Sequence, residues 1–263
     1  MNWIFKKIYL NFQFESHGCI SHVQLPILNN DWLYFATRNN KNISHIARFK
    51  NDHFEFYLSP SEKFDYKGIM PSCFCEDVLF YTGYIDDANF GYSQNICSYD
   101  GKTRLCLIDK IKDQSNLVNS PFVCKDGSIY KMWYISGSGW KNVNKKIKPV
   151  YKMNYAESKD LENWHIKERN ILPCGFEESP SRPCVIKNKT NYEMFFSSIH
   201  LNENDLYQLQ YAKSLDGINW SRENINIKTE ENMLCYPSIF EDKYMLINGS
   251  DYGKKNILLY ERS

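Results

Sequence analysis

Short apolar runs separated by turn residues recur along the whole chain and predict a protein built from β-strands. Near the middle, an apolar run follows Pro121, a Lys-Asp-Gly turn interrupts it, and an aromatic run occupies 130–135. A third run at 151–158 has apolar residues at alternate positions and leads to Trp164. Runs of β-branched and aromatic residues split by a glycine-containing turn are typical of antiparallel hairpins. Residues 119–164 are therefore predicted to form one small antiparallel sheet.

The same unit repeats along the chain. The segment Y-A-E-S-K-D-L-E-N-W, which ends at Trp164, has a counterpart in Y-A-K-S-L-D-G-I-N-W, which ends at Trp220. A proline opens a comparable apolar run at positions 26, 71, 121, 183 and 237, in steps of 45, 50, 62 and 54 residues. Repeats of about this length with about four strands each are typical of propeller blades. The pattern predicts an all-β, five-bladed β-propeller.

The repeat also predicts the domain organisation. Because a blade cannot bury both of its faces without neighbours, we expect residues 1–263 to form a single domain. The expected blades cover approximately residues 21–56, 69–107, 119–164, 181–220 and 234–260. The last blade is short of one strand, and we expect the strand-like segment 3–14 to complete it and so remove an exposed sheet edge.

Composition and charge narrow the classes of partner. With 32 basic and 31 acidic residues the net charge is +1, which gives no electrostatic reason to expect nucleic acid. No apolar run approaches the roughly 18 residues of a membrane span, and residues 1–10 lack the apolar core of a signal peptide, so we expect a cytoplasmic protein. The nine cysteines are scattered, which favours buried free thiols over disulfides. Cys73 and Cys75 have no second pair to complete a zinc site, so we expect neither a metal nor a cofactor.

Three motifs together resemble the five-bladed propellers of glycoside hydrolases. They are the proline-led strand, the strand Tyr-x-Met-aromatic-aromatic and the segment Y-A-x-S-x-D-x-x-x-W. That superfamily includes arabinanases, xylosidases, invertases, levansucrases and mannoside phosphorylases. The resemblance covers nearly the whole chain, and it is closest to compact bacterial members found with surface-polysaccharide genes. It implies a carbohydrate substrate in a central funnel, although one fold can host many functions.

The resemblance also implies where catalytic carboxylates should lie. In such enzymes they stand on the innermost strands, one or two positions before the proline, and act as base or nucleophile, as acid, and as a tuning group. In this chain those positions hold Gln24-Leu25, Ile69-Met70, Asn119-Ser120, Ser181-Arg182 and Cys235-Tyr236. None of these residues is Asp or Glu, so ordinary two-carboxylate hydrolysis is not expected.

Other polar residues near the predicted funnel mouth are candidates for catalysis. Glu178 heads the fourth inner strand and is the candidate general acid or base, with His22 as its partner across the funnel. His22 is equally compatible with a hydrogen-bonded structural histidine. Asp65, which precedes the second inner strand, is a third candidate, although an Asp near a glycine more often fixes a turn.

Candidate substrate-binding residues surround the same funnel. Arg182 stands where a carboxylate would be expected, and a guanidinium buried there requires an anion, either Glu178 or a phosphate or carboxylate of a ligand. Arg38 is expected to help it bind an anionic substituent, and Trp140 to stack on a sugar ring. The remaining candidates are His17, Ser72, Tyr84, Tyr236 and Asn248.

Three functional hypotheses remain open at this stage. The leading one is a glycosidase-like enzyme that acts on a glycosidic or nucleotide-linked sugar in bacterial surface-glycan metabolism. The second is a propeller that has lost catalysis and binds a glycan or a protein, which the missing inner-strand carboxylates favour. The third is a sugar transferase or lyase of capsule or O-antigen biosynthesis, for which paired arginine and histidine would suit a phosphate-bearing substrate.

Overall fold

The computed structural model describes residues 1–61, 63–143, 146–175, 177–201 and 206–263, with Lys146 described by its backbone alone. Within these ranges the chain is almost entirely β-strand, and the helical part is one four-residue helix, Lys110–Asp113, and the two 3-10 turns Glu15–His17 and Asp251–Gly253. No helix in the described ranges is long and apolar enough to cross a membrane. The prediction of an all-β protein is confirmed.

The strands, in chain order, are β1 (Asn2–Asn11), β2 (Cys19–Asn29), β3 (Trp32–Asn39), β4 (Ser44–Lys50), β5 (His53–Leu58), β6 (Gly68–Cys75), β7 (Val78–Ile85), β8 (Ser93–Tyr99), β9 (Arg104–Ile108), β10 (Val118–Asp126), β11 (Ile129–Val143), β12 (Lys146–Ser158), β13 (His165–Glu168), β14 (Glu178–Lys187), β15 (Tyr192–His200), β16 (Gln208–Ser214), β17 (Trp220–Glu223), β18 (Asn226–Ile227), β19 (Cys235–Phe240), β20 (Tyr244–Asn248) and β21 (Asn256–Arg262).

These strands form groups of consecutive antiparallel neighbours. Strands β10 to β13 form one four-stranded sheet and β14 to β17 another. Strands β2 to β5 and β6 to β9 form two further antiparallel runs, joined by a single parallel bridge between Ser44 and Gly68. The last sheet has the order β18-β1-β21-β20-β19. Each of the five repeat prolines lies in the first strand of one group, namely β2, β6, β10, β14 or β19.

The two ends of the chain meet in the last sheet. Strand β1 pairs antiparallel with β21 from Trp3 opposite Arg262 to Asn11 opposite Asn256, and so takes the outer position expected for the first residues. The short strand β18 then pairs in parallel with Asn2 and Trp3, which covers part of the outer edge of β1. Trp3 is 2% exposed and packs edge-to-face on Phe195, so the N-terminal strand contributes to the core as well as to the sheet.

The core consists of apolar clusters where neighbouring sheets pack face to face. In one cluster Trp133 of β11 packs edge-to-face on Trp220, and its ring nitrogen donates a 2.7 Å hydrogen bond to the carbonyl of Gly217. Trp164 is 2% exposed in the adjoining cluster. The repeated tryptophans are therefore packing residues, because the repeated turn places each indole against a neighbouring sheet.

Every proline-led strand is bulged at its proline. Proline has no N–H to donate to the ladder, and strands accommodate it at edges or bulges. The pairing of β2, β6, β10, β14 and β19 with the next strand shifts register at or beside that proline. In four of the five strands the residue before proline has a positive φ: Leu25 (60°), Ser120 (50°), Arg182 (53°) and Tyr236 (63°). Such bulges redirect side chains, and all four of these residues line the central cavity described below.

The bulges are held by side chains of the preceding group. The backbone N–H of Ser120 donates to Thr82 Oγ1 at 2.9 Å, and that of Tyr236 donates to Ser197 Oγ at 2.7 Å. At the junction of the last and first groups, the N–H of Leu25 donates to Asn248 Oδ1 at 2.9 Å. Each acceptor lies on the second strand of the group before, so the hydrogen bonds satisfy N–H groups that the bulge removes from the ladder.

Candidate functional site

The first strands of the five groups converge on a central cavity of about 300 Å³. It is lined by His22, Gln24, Leu25, Arg38, Met70, Pro71, Thr82, Tyr84, Gln94, Asn119, Ser120, Tyr151, Ser181, Arg182, Tyr207, Tyr236 and Tyr252. These residues all belong to the described ranges, and none of them is Asp or Glu. The cavity therefore presents hydroxyls, amides and two guanidinium groups, without a carboxylate to balance them.

Tyrosines supply much of the lining. Burial raises the pKa of Tyr84 to about 12 and raises that of Tyr151 and of Tyr236 well above its ordinary value. These phenols are therefore protonated at neutral pH and can both donate and accept hydrogen bonds. Rings and hydroxyls combined in this way suit a sugar, because its C–H faces pack on aromatic rings while its hydroxyls need polar partners.

His22 lies at one edge of the cavity and is only 7% exposed. Its Nδ1 lies 2.6 Å from the hydroxyl of Ser21, which leaves Nε2 as the ring nitrogen available for other partners. Burial, together with the charges of Arg38 and Lys254, lowers the pKa of His22 to about 4. The imidazole is therefore neutral at physiological pH and can accept a proton, although as a weak base.

Arg38 reaches the same edge of the cavity from β3. Its Nη1 donates a 2.9 Å hydrogen bond to Asn42 Oδ1, while its Nε is buried without a hydrogen-bond partner among the described residues. The guanidinium thus keeps one donor, the Nε–H, that no described residue satisfies.

Arg182 occupies a more central position and is 2% exposed. One of its terminal nitrogens donates a hydrogen bond to the carbonyl of Pro71, and Nη2 has no partner among the described residues. Burial lowers its pKa to about 10, so the side chain is still a cation at neutral pH. The counterion of Arg182 expected from the sequence is Glu178 or a ligand anion. Glu178 does not neutralise Arg182, because it pairs with Arg222.

Glu178 and Asp65 lie outside the cavity lining and are held by ion pairs. Glu178 is 3% exposed and accepts two hydrogen bonds from Arg222, at 2.6 and 2.8 Å, and one from Ser198 at 2.6 Å. Asp65 is fully buried, accepts from Tyr81 at 2.8 Å, and lies 3.3 Å from Arg104. Both carboxylates fix the approach to an inner strand, so the geometry gives neither of them access to a sugar in the cavity.

The other sequence-derived candidates are divided between the cavity and its surroundings. Tyr84 and Tyr236 line the cavity with His22, Arg38 and Arg182. Asn248 is a structural clamp, because its amide also donates to the carbonyls of Val23 and Asn256 at 2.8 Å.

His17, Ser72 and Trp140 lie outside the cavity lining. His17 is exposed and packs near Phe54. Ser72 is buried beside a smaller cavity of about 140 Å³ that Arg182 also lines. Trp140 stacks on Phe90 with ring centroids 4.4 Å apart, so a neighbouring ring already occupies one of its faces.

Several lining residues were not singled out from the sequence. Tyr151 and Tyr207 come from third strands or the segments leading to them, and the repeat pattern gives no sign that they turn inward. Gln24, Asn119, Ser120 and Ser181 stand at the positions before the prolines, where the resemblance implies carboxylates. Their polar character at those positions is the signal in the sequence that they face the cavity.

Within the described ranges no group of three or more His, Cys, Asp or Glu side chains could hold a metal ion. The nine cysteines are free, and six of them are buried. Cys73 and Cys184 accept hydrogen bonds from the backbone N–H groups of Val123 and Ile239, at 3.2 and 3.3 Å, in the next group of strands. These thiols pack between neighbouring sheets, in agreement with the expectation of buried free cysteines.

Comparison with known proteins identifies the architecture. A solved structure described as a glycoside hydrolase has a TM-score of 0.65 and 13% sequence identity, over 95% of this chain and 94% of its own. Sucrose-6-phosphate hydrolase from Lactobacillus gasseri has a TM-score of 0.62 and 14% identity over 96% and 64%. An endo-arabinase from Bacteroides thetaiotaomicron has a TM-score of 0.61 and 11% identity over 92% and 94%. The chain has the fold of the glycoside hydrolase-type propellers.

Two proteins that match this propeller in sequence are described only as uncharacterized proteins. No protein-family model matches the chain. Two proteins of Mycobacterium tuberculosis, MT1551 of strain CDC 1551 / Oshkosh and Rv1502 of strain ATCC 25618 / H37Rv, are 32% and 31% identical to it over 146 residues. The match covers 51% of this propeller and 47% of each relative, so it spans about half the length of either protein.

Proposed function

We propose that this chain is a five-bladed propeller that binds a sugar in its central cavity and processes it at a glycosidic bond. The observation that carries the proposal is the cavity lining, in which five tyrosines stand among amides and hydroxyls. Polar groups in fixed positions among aromatic rings are typical of small-molecule sites that recognise carbohydrate. The glycosidase-type fold agrees with this function. The role in bacterial surface-glycan metabolism expected from the sequence remains part of this proposal.

The chemistry proposed for the cavity differs from that of two carboxylates. Because the described lining residues include no Asp or Glu, proton transfer falls to His22, whose pKa of about 4 keeps its imidazole neutral at physiological pH. A neutral imidazole with Nε2 available can accept a proton from a sugar hydroxyl or a water molecule. Glu178 and Asp65 receive no catalytic role, since both are already occupied by arginine.

A second candidate function is binding without catalysis. The described lining residues favour it, since none is Asp or Glu and hydrolysis of a glycoside ordinarily needs one group to protonate the leaving oxygen and one to stabilise or attack the developing cation. His22→Gln separates the two functions, since it should abolish turnover and leave a purely binding protein nearly unchanged.

The test is a thermal-shift panel of free sugars, oligosaccharides, sugar phosphates and nucleotide-sugars, followed by mass spectrometry of any compound that binds. A ligand that binds the folded state raises the melting temperature. Tyr84→Phe should weaken binding about three- to tenfold, because one hydrogen bond contributes about 0.5 to 1.5 kcal/mol. Tyr155→Phe is the matched control. The hydroxyl of Tyr155 donates a 2.7 Å hydrogen bond to Glu157, and Tyr155 is not among the residues that line the cavity. Equal effects of the two variants, or no shift from any sugar, would contradict the proposal.

A further inference from the structure

One edge of the central cavity is cationic, and no Asp or Glu is among the described residues that line the cavity. Arg38 and His22 both line it, and the field of Lys254 reaches His22 from the turn that follows β20. We propose that the sugar of this site carries an anionic group, a phosphate or a carboxylate, which binds against Arg38 beside His22. This inference deepens the proposed function and rests on it.

The free side of Arg38 suits an oxyanion. Because Nη1 is engaged by Asn42, the hydrogen bond that remains unmade in the buried part of the side chain is that of Nε. A guanidinium binds carboxylate or phosphate most specifically through two parallel N–H donors, and Nε forms such a pair with the neighbouring terminal nitrogen. The pairing of β3 with β2 and β4 on its two sides fixes the backbone at Arg38.

Among the residues that the structure describes, no carboxylate lines this edge. The described lining residues include no Asp or Glu. On the turn packed against β2, Asp251 is the nearest acid in sequence to Lys254, and it forms a 3.0 Å ion pair with Lys255. An uncompensated cation in a buried site is costly, and an anion that enters the site removes that cost.

Arg182 adds positive potential from the centre of the cavity. It is charged at neutral pH, it is almost completely buried, and its Nη2 has no partner among the described residues. Arg38 and Arg182 come from different sheets, so the cavity attracts an anion as a whole and orients it through Arg38.

An anion at this edge would also change the protonation of His22. The groups that act on the imidazole are Arg38, Lys254 and the Ser21 hydroxyl, with Tyr252 and the paired Asp251 on the adjoining turn. Since the present neighbours are cationic, a bound anion raises the pKa of His22 and binding takes up a proton. Affinity for glucuronate, whose carboxylate stays ionised over this range, should then increase about tenfold or less as the pH falls from 7 to 5, and affinity for a neutral sugar should not.

The experiment is calorimetric titration with glucose, glucuronate, glucose 6-phosphate and inorganic phosphate, at pH 7 and pH 5. The anionic sugars should bind at least tenfold more tightly than glucose, and Arg38→Gln should abolish that preference. Arg48→Gln is the matched control, because Arg48 lies on the neighbouring strand, pairs with Glu55 at 2.5 Å and stacks on Trp32 outside the cavity. His22→Gln should remove the pH dependence and keep most of the preference.

The outcomes separate this inference from the proposed function. If glucose binds as tightly as its anionic derivatives and Arg38→Gln changes nothing, the anionic substrate is overturned while the sugar site stands. If inorganic phosphate binds alone and no sugar adds affinity, the anion site stands and the sugar-binding proposal fails. If none of the four compounds binds, both are overturned.

Discussion

The arginines of this protein fall into two environments that treat the same charge in opposite ways. Outside the cavity lining, a partly exposed arginine pairs with a buried carboxylate in four places: Arg104 with Asp65, Arg169 with Asp113, Arg222 with Glu178 and Arg262 with Glu193. In the cavity, Arg38 and Arg182 have no carboxylate partner among the described residues. The outer charges are satisfied within the protein, whereas the inner ones are left for something that binds.

The outer pairs repeat because the strand groups repeat. Asp65, Asp113 and Glu178 each lie before or at the start of an inner strand. Each accepts a hydrogen bond from the second strand of its own or the following group, from Tyr81, Tyr134 and Ser198 respectively. Burial alone would raise the pKa of Glu178, but the hydrogen bonds from Arg222, Ser198 and Gly175 hold it below its ordinary value. The acids therefore brace the inner strands that carry the cavity residues.

The largest expected effect comes from breaking an outer pair. Arg222→Met keeps the volume of the side chain but leaves Glu178 buried at 3% exposure without its cation. Removing one partner of a buried pair costs about 3 kcal/mol, and we expect the free energy of unfolding in urea to fall by about that amount. Adding Glu178→Gln to the same protein should restore most of it. A loss under about 1 kcal/mol would mean that the pair does not brace the strand.

The sequence predicts the fold better than it predicts the role of these acids. The strand groups can be predicted because a proline, a turn and an aromatic run recur at nearly even steps. Each of these features lies within a short stretch of sequence. The pairing of Glu178 with Arg222 joins residues 44 apart, and that of Asp65 with Arg104 joins residues 39 apart. No local pattern distinguishes an acid that braces a strand from one that faces a funnel, so both were candidates for catalysis until their partners were located.

The segment 137–149 illustrates the same limit of local patterns. Its glycines, serines and lysines are typical of a long loop, yet β11 continues to Val143 and β12 begins at Lys146. Cross-strand pairing continues from Gly139 opposite Val150 to Val143 opposite Lys146, and residues 144–145 lie outside the described ranges. Two polar segments that pair with each other as strands do not show the alternating apolar residues by which a strand is predicted from sequence. Trp140 therefore lies on a strand.

The second prediction concerns the protonation of His22. Its folded-state pKa is about 4 and its ordinary value is 6.5, so the unfolded chain binds the proton first as the pH falls. Stability from this group is therefore present above pH 6.5 and is lost toward pH 4, with about 2 kcal/mol lost between pH 7 and pH 5. Urea unfolding of the native protein at those two pH values should show this loss. The native protein should lose about 2 kcal/mol more than His22→Gln, and an equal loss in both would refute the buried, neutral imidazole.

The third prediction reverses the sign of the first. Arg182→Met removes a buried cation that has no carboxylate partner, at the cost of one hydrogen bond to Pro71. Replacement of buried charge by apolar groups of similar volume is often neutral or stabilising, so the free energy of unfolding should stay unchanged or rise by about 1 kcal/mol. The measurement is urea unfolding without added anions, beside Arg222→Met. If Arg182→Met and Arg222→Met destabilise the protein equally, then a carboxylate partner makes no difference to what a buried arginine contributes to the free energy of unfolding.

The smallest expected effect tests how the inner strands are held in place around those charges. Thr82→Val removes the hydroxyl that accepts the backbone N–H of Ser120 at 2.9 Å and keeps the shape of the side chain. An N–H that loses its partner costs about 0.5 to 1 kcal/mol here, because Ser120 faces the cavity, where water can replace part of the bond. The comparison is with the native protein, because Thr82→Ser would also lose a buried methyl group. Thr82→Val should be less stable in urea by about 0.5 to 1 kcal/mol, and equal stability would mean that the proline bulge at Ser120 holds its conformation without help from the neighbouring sheet.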